Sequence, residues 1–315
     1  MSVFIIAEMS CNHMGEYGKA IELIDAAVDA GADAVKISLD NPDGGITIDS
    51  TSPNFLIRKG PWLGKYLHEL YTETHTPWEW TARLLNHAAN KGITLFATVS
   101  CKKGVEFCEA LNMPLYKVSS YEACDIPLIR EIKKTGKPVI VSCGMDWHDA
   151  WDELQGYPAS FLYCVSQYPA DASSFDLSAL SDFDGISDHT AYGNEMVYAA
   201  VALGAQIVER HIMGYGDHPP DYDFSLDPGE FEDMVTGIQN IERAMMPKGC
   251  VIPDRAFCKS LYAVKDINQG ERFTDENVGV IRPGDGLHPR EYFNVIGAVA
   301  RADVGKGMPI VEAMV

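Results

Sequence analysis

The sequence predicts an α/β protein: a (β/α)8 TIM barrel followed by a small second domain. Eight short apolar runs alternate with helix-like segments before residue 250, and such alternation is typical of parallel βαβ units. Eight units in about 250 residues match the strand number and length of a TIM barrel. A doubly wound open sheet is the main alternative, but no glycine-rich dinucleotide fingerprint follows the first strand. The barrel is therefore favoured.

Each predicted strand is a short apolar run, bounded by a glycine or a polar break. The first helix is predicted over residues 17–30, whose apolar positions have helical spacing, and Gly31 ends it. The next helix ends at Gly92 and begins at Thr76-Pro77-Trp78-Glu79, which predicts a capping box with proline at the first helical position. In chain order, the predicted strands are residues 3–8, 32–38, 93–98, 115–119, 138–142, 160–165, 184–189 and 205–211.

The sequence changes character after the last predicted barrel helix, which begins near Asp227 and ends near Met246. Residues 259–315 contain short strand-like pieces and many turns, with no long helical pattern. They carry seven basic and eight acidic residues, so nearly all of the net charge of −20 lies before them. We therefore predict a barrel domain over residues 1–248, a linker over 249–258 and a small domain over 259–315.

Charge and composition exclude several classes of function. A net charge of −20 repels nucleic-acid phosphates and anionic lipids. No apolar run approaches the roughly 18 residues of a membrane span, and no basic segment precedes the first apolar run as in a signal peptide. The eight cysteines include no C-x-x-C pair, which indicates free thiols in a reducing compartment. We expect a cytoplasmic protein that binds neither nucleic acid nor a membrane.

Polar side chains cluster at the carboxyl ends of the predicted strands, where barrel enzymes carry their chemistry. Residues two apart in a strand share a face, so the members of each Lys-x-Ser or Glu-x-His pair point into the barrel together. This concentration at one end of the strands predicts a functional site. The residues concerned are Glu8, Lys36, Ser38, Thr98, Lys117, Ser119, Ser142, Ser166, Tyr168, His189, Glu209 and His211.

Two of these groups suit particular ligands. The imidazoles of His189 and His211, with a neighbouring carboxylate, can bind a divalent metal and leave coordination positions open. Spacing alone does not choose between Mn²⁺, Zn²⁺ and Mg²⁺. Two lysines among several hydroxyls suit phosphate and carboxylate groups. These residues are Lys36, Lys117, Thr98, Ser120, Ser142 and Ser187.

Each group also has a plainer interpretation. A histidine at a strand end is usually a hydrogen-bonded structural residue, and a lysine at the rim is often simply solvated. The aromatic-rich segment 62–80 either packs against the barrel or covers the apolar face of a sugar. The remaining histidines that we considered follow no pattern that distinguishes them from surface or loop residues, namely His13, His68, His75, His87 and His218.

Seven motifs resemble those of the sialic acid synthase family: IIAEMSCNHMG, DAGADAVKIS, LYKVSS, KPVIVSCGM, SQYP, GISDHT and ALGAQIVERH. The tail KSLYAVKDINQGERFTDENVGVIRPGDG is similar to the type III antifreeze-like domain that follows the barrel in that family. The resemblance therefore covers nearly the whole chain. Within the family, NPDGG, SPNFLIRKGPWLGKYLHELYTETHTPWEW and YEACDIPLI are most similar to the pseudaminic acid synthases.

The resemblance implies condensation of phosphoenolpyruvate with an amino-sugar aldehyde, giving a nine-carbon 2-keto acid (a nonulosonic acid) and phosphate. For the pseudaminic branch, the sugar is a 2,4-diacetamido-2,4,6-trideoxy hexose. His189 and His211 match the family's ligands for a divalent metal, with Mn²⁺ expected and Mg²⁺ or Co²⁺ as alternatives. The metal would polarise the aldehyde toward attack by C3 of phosphoenolpyruvate.

The resemblance also assigns roles residue by residue. Glu122 would assist the addition of water at C2, Lys117 and Glu8 would join it as catalytic residues, and Asp221 would contact sugar hydroxyls or metal-bound water. Arg282 would reach the barrel of a partner subunit, which implies a domain-swapped homodimer. The implied phosphoenolpyruvate-binding residues are Lys36, Thr98, Lys117, Ser120, Ser142, Ser166 and Ser187. The implied sugar-binding residues are Glu8, Tyr168, Asp221 and Arg282.

The sequence departs from the family pattern in several places. Lys36-Ile37-Ser38 stands where K-F-Q is usual, and Cys143 stands where threonine is usual. The stretches after SCGM and before GISDHT are short, which predicts clipped fifth and sixth helices. These departures affect substrate identity more than metal chemistry.

Three alternatives follow for the function. One is the same reaction on N-acetylmannosamine or on a legionaminic acid precursor. Another is a non-catalytic homologue that binds a sugar or phosphoenolpyruvate. The third is an unrelated metal-dependent aldolase or hydrolase barrel.

Overall fold

A computed structural model of the chain describes residues 2–60, 62–191, 193–246 and 255–315. The chain divides into two compact units, Met1–Met246 and Pro247–Val315. Most of the predicted linker, including Cys250, lies outside the described residues. The seven described cysteines are all free. Among the described residues, no helix combines the length and apolar character that crossing a membrane requires.

The first unit is a closed parallel barrel, as predicted. Each strand pairs with the next in chain order, and β1 closes the ring by pairing with β8, so that Glu8 lies opposite His211. A two-residue strand, β9, pairs in parallel with β8. The strands are β1 Phe4–Glu8, β2 Ala34–Ser38, β3 Thr94–Thr98, β4 Tyr116–Val118, β5 Val139–Cys143, β6 Ala159–Cys164, β7 Gly185–Asp188, β8 Ile207–Ile212 and β9 Ser225–Leu226.

Amphipathic helices connect the strands and pack one apolar face on the barrel. In the helix Ile126–Thr135 this face is formed by Leu128, Ile129 and Ile132, which are buried, as expected for helical spacing of apolar residues. The first helix ends before Gly31, whose positive φ of 86° suits glycine. The helices are α1 Tyr17–Asp29, α2 Leu67–Thr74, α3 Trp78–Lys91, α4 Lys102–Ala110, α5 Ile126–Thr135, α6 His148–Glu153, α7 Glu195–Ala202 and α8 Pro228–Met245.

The capping box predicted at Thr76, at the start of the helix that ends at Gly92, is wrong. Helix α3 begins at Trp78, one residue later than predicted, and Pro77 occupies the N-cap position without a side-chain hydrogen bond. The Thr76 side chain is instead buried, with Oγ1 3.3 Å from His13 Nε2. His13 lies in the turn after β1 but is fully buried, against the edge of Trp80, so it is a loop residue and not a surface residue. A tertiary contact has overridden the local capping signal.

The predicted shortening of the outer helices is confirmed. Helix α6 has six residues. Among the described residues between β6 and β7, only the two short 3₁₀ segments Ala172–Ser174 and Leu177–Asp182 form helical turns. The aromatic-rich segment contains an additional helix, α2, which was not predicted.

A fully buried ion pair joins the ends of β7 and β8. Arg210 Nη1 lies 3.1 Å from Asp188 Oδ2, and Arg210 also donates to the carbonyl of Thr190 at 2.8 Å. Because side chains alternate along a strand, this pair leaves the flanking His189 and His211 to face the interior of the barrel. The ion pair thus fixes the strands that carry the two candidate metal ligands.

The second unit has its own core and the short elements predicted from its sequence. Strands β10 (Ser260–Ala263) and β11 (Val278–Ile281) pair antiparallel, and α9 (Tyr292–Val295) has four residues. Its core residues are Leu261, Ala263, Ile267, Phe273, Val278, Val295, Ala300, Val304 and Ile310.

Candidate active site

A cavity of about 180 Å³ at the carboxyl ends of the barrel strands brings most of the predicted site residues together. Ser166 and Arg282 do not line it. Ser166 lies behind the wall and donates a hydrogen bond to the cavity residue Ser120 at 2.7 Å. Arg282 lies exposed in the second unit, where its Nε donates to the carbonyl of Phe257 at 2.7 Å. The predicted residues that do line it are Glu8, Lys36, Ser38, Thr98, Lys117, Ser119, Ser120, Glu122, Ser142, Tyr168, Ser187, His189, Glu209, His211 and Asp221.

The inner end of the cavity holds a compact group of buried charges. Lys36 Nζ lies 2.6 Å from Glu8 Oε2 and 3.5 Å from Glu209 Oε1, and it donates to Thr98 Oγ1 at 3.1 Å. The backbone N–H of Ser10 donates to Glu8 Oε1 at 2.7 Å. These contacts tie together the ends of β1, β2, β3 and β8.

Lys117 completes this group from the opposite side. Its Nζ donates to Ser142 Oγ at 2.7 Å and lies 4.0 Å from Glu209 Oε1. Ser187 Oγ donates to the same carboxylate oxygen at 2.9 Å. Glu209 Oε2 is buried without a hydrogen-bond partner among the described residues. We call Glu8, Lys36, Lys117 and Glu209 the inner charge cluster.

The inner charge cluster is balanced, rather than simply cationic as the two lysines and surrounding hydroxyls had indicated. Burial lowers the pKa of Lys117, and burial raises the pKa of Glu8 despite the opposing charge of Lys36. For Glu209, burial acts to raise the pKa, but the charges of Lys117 and Lys36 outweigh it and the pKa is lowered. Two cations therefore face two carboxyl groups, and an anionic ligand must compete with these carboxyl groups for the lysines.

His189 and His211 face each other across one side of the cavity. Their ring centroids are 5.3 Å apart. His211 Nδ1 lies 3.4 Å from Asp221 Oδ2, and His189 Nδ1 lies 3.8 Å from Cys164 Sγ. Burial lowers the pKa of His189 well below its usual value, helped by the charge of His211. His189 is therefore a neutral imidazole, the form that binds a metal.

The residues present fit a divalent metal. With both Nδ1 atoms turned toward Cys164 and Asp221, both Nε2 atoms are available as donors, and a carboxylate behind a ligating imidazole is the usual supporting arrangement. Among the described residues, no third histidine, cysteine or acidic residue completes a three-ligand cluster. Water or substrate would therefore fill the remaining positions.

Asp221 is itself held by a buried polar network. Ser225 Oγ donates to the Asp221 carbonyl at 2.7 Å, and Asn12 Nδ2 donates to Ser225 Oγ at 3.0 Å and to the Ile212 carbonyl at 2.7 Å. The strand β9 was not predicted, yet it positions Ser225 and hence Asp221 beside His211. Burial acts to raise the pKa of Asp221, but the contacts of this carboxylate with His211 act in the opposite direction and are stronger. The pKa of Asp221 therefore lies below its usual value.

Two carboxyl groups line the cavity nearer its mouth. Ser119 Oγ donates to Glu122 Oε2, and Ser38 Oγ donates to Asp40 Oδ2 at 2.6 Å. Burial, together with a smaller effect of the charge of Asp40, raises the pKa of Glu122 to about 7. A carboxyl group that titrates near neutrality suits general acid–base catalysis.

Aromatic side chains form the remaining wall. Tyr168 stacks on Tyr121 with ring centroids 6.2 Å apart, and it lies 6.3 Å from Trp62 and 4.5 Å from His189. Phe224 packs edge-on against His211. Polar groups at the inner end beside an aromatic wall suit a ligand with both charged and apolar surfaces, such as a sugar derivative.

Several cavity residues were not assigned roles from the sequence. Glu209 had been placed on the face of His211, but its pairing with both lysines depends on the register between strands. Asp40, Tyr71 and His75 lie in the long connection between β2 and β3, where neither strand alternation nor helical spacing gives a signal. The one exception is Asp40, which continues the Lys36, Ser38 alternation two residues past Ser38, a signal that could have identified it.

Comparisons with known proteins agree with this architecture. A model of the NeuB family matches residues 23–249, and a model of the SAF domain matches residues 259–315. The N-acetylneuraminic acid synthetase structure from Leptospira borgpetersenii is 26% identical, with a TM-score of 0.68, over 79% of this chain and 87% of that one.

Curated relatives match nearly the full length of the chain. A pseudaminic acid synthase from Campylobacter jejuni is 37% identical over 97% of this chain and 94% of its own length. A pseudaminic acid synthase from Helicobacter pylori is 32% identical over 97% and 96%. An N,N'-diacetyllegionaminic acid synthase from Campylobacter jejuni is 29% identical over 94% and 95%.

Proposed function

The chain belongs to the NeuB family and is a phosphoenolpyruvate-dependent nonulosonic acid synthase, and we propose that it makes a pseudaminic-type product with the help of a divalent metal. The sugar would be a 2,4-diacetamido-2,4,6-trideoxy hexose. The 37% identity to a pseudaminic acid synthase, against 29% to a legionaminic acid synthase, supports this branch. Free thiols at all seven described cysteines support a cytoplasmic location.

One observation carries the proposal. The inner charge cluster and the His189–His211 pair open into a single cavity. Lysines and hydroxyls suit the phosphate and carboxylate of phosphoenolpyruvate, while the two imidazoles lie beside an aromatic wall that suits a sugar. A condensation needs both substrates within bonding distance, and a shared cavity supplies that proximity.

The inner charge cluster would hold phosphoenolpyruvate. Lys117 and Lys36 would donate to its anionic oxygens, with Thr98, Ser120, Ser142 and Ser187 as further donors. Because Glu8 and Glu209 already pair with Lys36, binding would shift Lys36 from these carboxyl groups to the ligand, while Lys117 lies 4.0 Å from Glu209. Ser166 would act through Ser120 rather than by direct contact.

The sugar aldehyde would lie beside the histidine pair. A divalent cation held by His189 and His211 would act as a Lewis acid on the aldehyde oxygen. Imidazole nitrogens suit transition metals better than Mg²⁺, and among these Mn²⁺ is the metal that the resemblance to the sialic acid synthases leads us to expect. Asp221 would hold His211 in orientation, and Glu8, Asp221 and Tyr168 would contact the sugar.

Glu122 would serve the second half of the reaction. Once C3 of phosphoenolpyruvate has bonded to the aldehyde carbon, C2 becomes electron-poor, and water adds to it before the C2–O bond to phosphate breaks. As a carboxylate, Glu122 would accept the proton of that water. Its pKa of about 7 matches this role, because a base works best when its pKa lies near the working pH.

Arg282 would complete the site from a second subunit, in a domain-swapped homodimer. Among the described residues that line the cavity there is no arginine, and Arg282 is exposed on the second unit. We expect Arg282→Ala to raise the KM of the sugar by about tenfold or more, as for the loss of a hydrogen bond between charged groups, and to leave the melting temperature unchanged.

Kinetics and size-exclusion chromatography together test the role of Arg282. Arg301→Ala, which removes another exposed arginine of the second unit, is the matched control and should behave as wild type. Unchanged sugar kinetics in Arg282→Ala, or full activity in a monomeric enzyme, would contradict the cross-subunit role.

The branch is tested by phosphate release from phosphoenolpyruvate with Mn²⁺ and a panel of sugars. The panel contains 2,4-diacetamido-2,4,6-trideoxy-altrose, N-acetylmannosamine and the bacillosamine-derived mannose analogue. We expect turnover with the altrose derivative alone. Turnover with another sugar instead would keep the reaction and overturn the branch, and folded, metal-loaded protein inactive with every sugar would favour a non-catalytic homologue.

A further inference from the structure

One wall of the cavity follows β2 outward from the inner charge cluster. Lys36 lies within the strand, Ser38 is its last residue, and Asp40 continues the alternation two residues later. All three line the cavity. The wall therefore runs from a cation inside the barrel, past a hydroxyl, to a carboxyl group nearer the mouth.

The wall that follows β4 repeats this order. Lys117 lies within the strand, and Ser119 and Glu122 follow it. On both walls the serine hydroxyl donates to the carboxyl group beyond it. The cavity is thus layered by charge, with two lysines on the strands and the two carboxyl groups of Asp40 and Glu122 in the segments that follow those strands.

Among the described carboxyl groups that line the cavity, Asp40 and Glu122 are the two that form no ion pair. Glu8 and Glu209 pair with Lys36, and Asp221 contacts His211. The Oδ1 of Asp40 is buried within the described part of the chain without a hydrogen bond, near the Ser100 hydroxyl, which is also buried and unpaired there. A buried acceptor left unpaired is unfavourable, so Asp40 Oδ1 is poised to accept from a ligand.

On the basis of the proposed function, we propose that Asp40 determines sugar specificity by accepting a hydrogen bond from a donor of the sugar acceptor, an acetamido N–H or a hydroxyl. Asp40 is a substrate-binding residue, and Glu122, on the wall that follows β4, remains the catalytic base. Ser38 positions the carboxylate by holding Oδ2.

The charge layering explains why the sugar, and not phosphoenolpyruvate, is the ligand of Asp40. Phosphoenolpyruvate is an anion that offers hydrogen-bond acceptors, so the lysines attract it, whereas the carboxyl groups of Asp40 and Glu122 offer it no cation. The sugar is neutral and rich in N–H and O–H donors. The two layers therefore place each substrate at its own depth in the cavity.

Steady-state kinetics of Asp40→Asn test this inference. The substitution preserves shape and removes the charge, so we expect the KM of the sugar to rise about tenfold or more. The KM of phosphoenolpyruvate and kcat at saturating sugar, both measured well above pH 7 where Glu122 is ionised with or without the charge of Asp40, should stay within about twofold of wild type, a change worth under half a kcal/mol. A purely structural role would change both KM values and lower the melting temperature.

Asp43→Asn is the matched control, because Asp43 lies in the same connection with its side chain 91% exposed. It should match wild type in every constant. Ser38→Ala removes the hydrogen bond to Asp40 Oδ2 but keeps the carboxyl group of Asp40. It should also raise the KM of the sugar, by a smaller factor than Asp40→Asn. Unchanged sugar KM in Asp40→Asn and Ser38→Ala, or equal rises in both substrates' KM values, would overturn the inference.

Two sugar analogues separate the two sources of the donor. If Asp40 accepts from an acetamido N–H, replacing that acetamido group by hydrogen should abolish the difference between Asp40→Asn and wild type. If Asp40 accepts from a hydroxyl, the analogue that lacks this hydroxyl should abolish the difference between Asp40→Asn and wild type. Wild-type enzyme that turns over no sugar contradicts the proposed function, whereas active wild type with a normal Asp40→Asn variant contradicts only the role of Asp40.

Discussion

His211→Ala should abolish both turnover and binding of Mn²⁺ while the barrel stays folded. His211 faces His189 across 5.3 Å, and a lone imidazole cannot retain a metal that two held. Losing a Lewis acid removes several kcal/mol of transition-state stabilisation, so we expect kcat/KM to fall by about a thousandfold or more. Titration followed by the electron paramagnetic resonance signal of free Mn²⁺ measures binding without requiring activity.

His148→Ala is the matched control for this variant. His148 lies exposed at the start of α6, on the outside of the barrel, so both Mn²⁺ binding and turnover should equal those of wild type. Circular dichroism confirms that each variant is folded. Mn²⁺ affinity or turnover close to wild type in folded His211→Ala would end the metal assignment.

Glu122→Gln should lower kcat by about 10²- to 10⁴-fold, the usual contribution of a general base. The wild-type kcat/KM should rise with pH through about 7, because burial and the charge of Asp40 raise the pKa of Glu122 to that value and only the carboxylate accepts a proton. The glutamine variant should lose this ionisation from its pH profile. Phosphate release measured across the neutral range tests both expectations.

Phosphoenolpyruvate itself has a phosphate ionisation near pH 6, by analogy with other phosphate monoesters, and it affects wild type and variant equally. The difference between the two profiles therefore isolates Glu122. Glu106→Gln, on an exposed side chain of α4, should retain the wild-type profile. An unchanged pH profile in Glu122→Gln would contradict its role as the base, even if the rate were lower.

The barrel could be predicted because its signals are local. Apolar runs such as residues 138–142, and glycines such as Gly31 and Gly92, mark strand and helix ends directly in the sequence. The start of α3 could not be predicted, because Thr76 faces the buried His13 instead of capping the helix. The helix α2 was missed since its length of eight residues leaves little helical periodicity to detect.

The candidate site, too, could be predicted only where the signals are local. Alternation along β2, β4 and β8 placed Lys36, Lys117 and His211 on inward faces, and the structure brings them into one cavity. The neutralisation of the lysines by Glu8 and Glu209 depends on the pairing between different strands. The support of Asp221 by β9 depends on a connection between elements. Neither kind of contact can be predicted from the spacing of residues within one segment.

The measurement that tests the central claim most directly is phosphate release from phosphoenolpyruvate by the metal-loaded enzyme, with and without the altrose derivative and with and without EDTA. A single cavity for both substrates and the metal predicts release only when sugar and metal are both present, with one nonulosonic acid formed for each phosphate. Release that is independent of the sugar or unaffected by EDTA, or the absence of any carbon–carbon bonded product, would contradict the account.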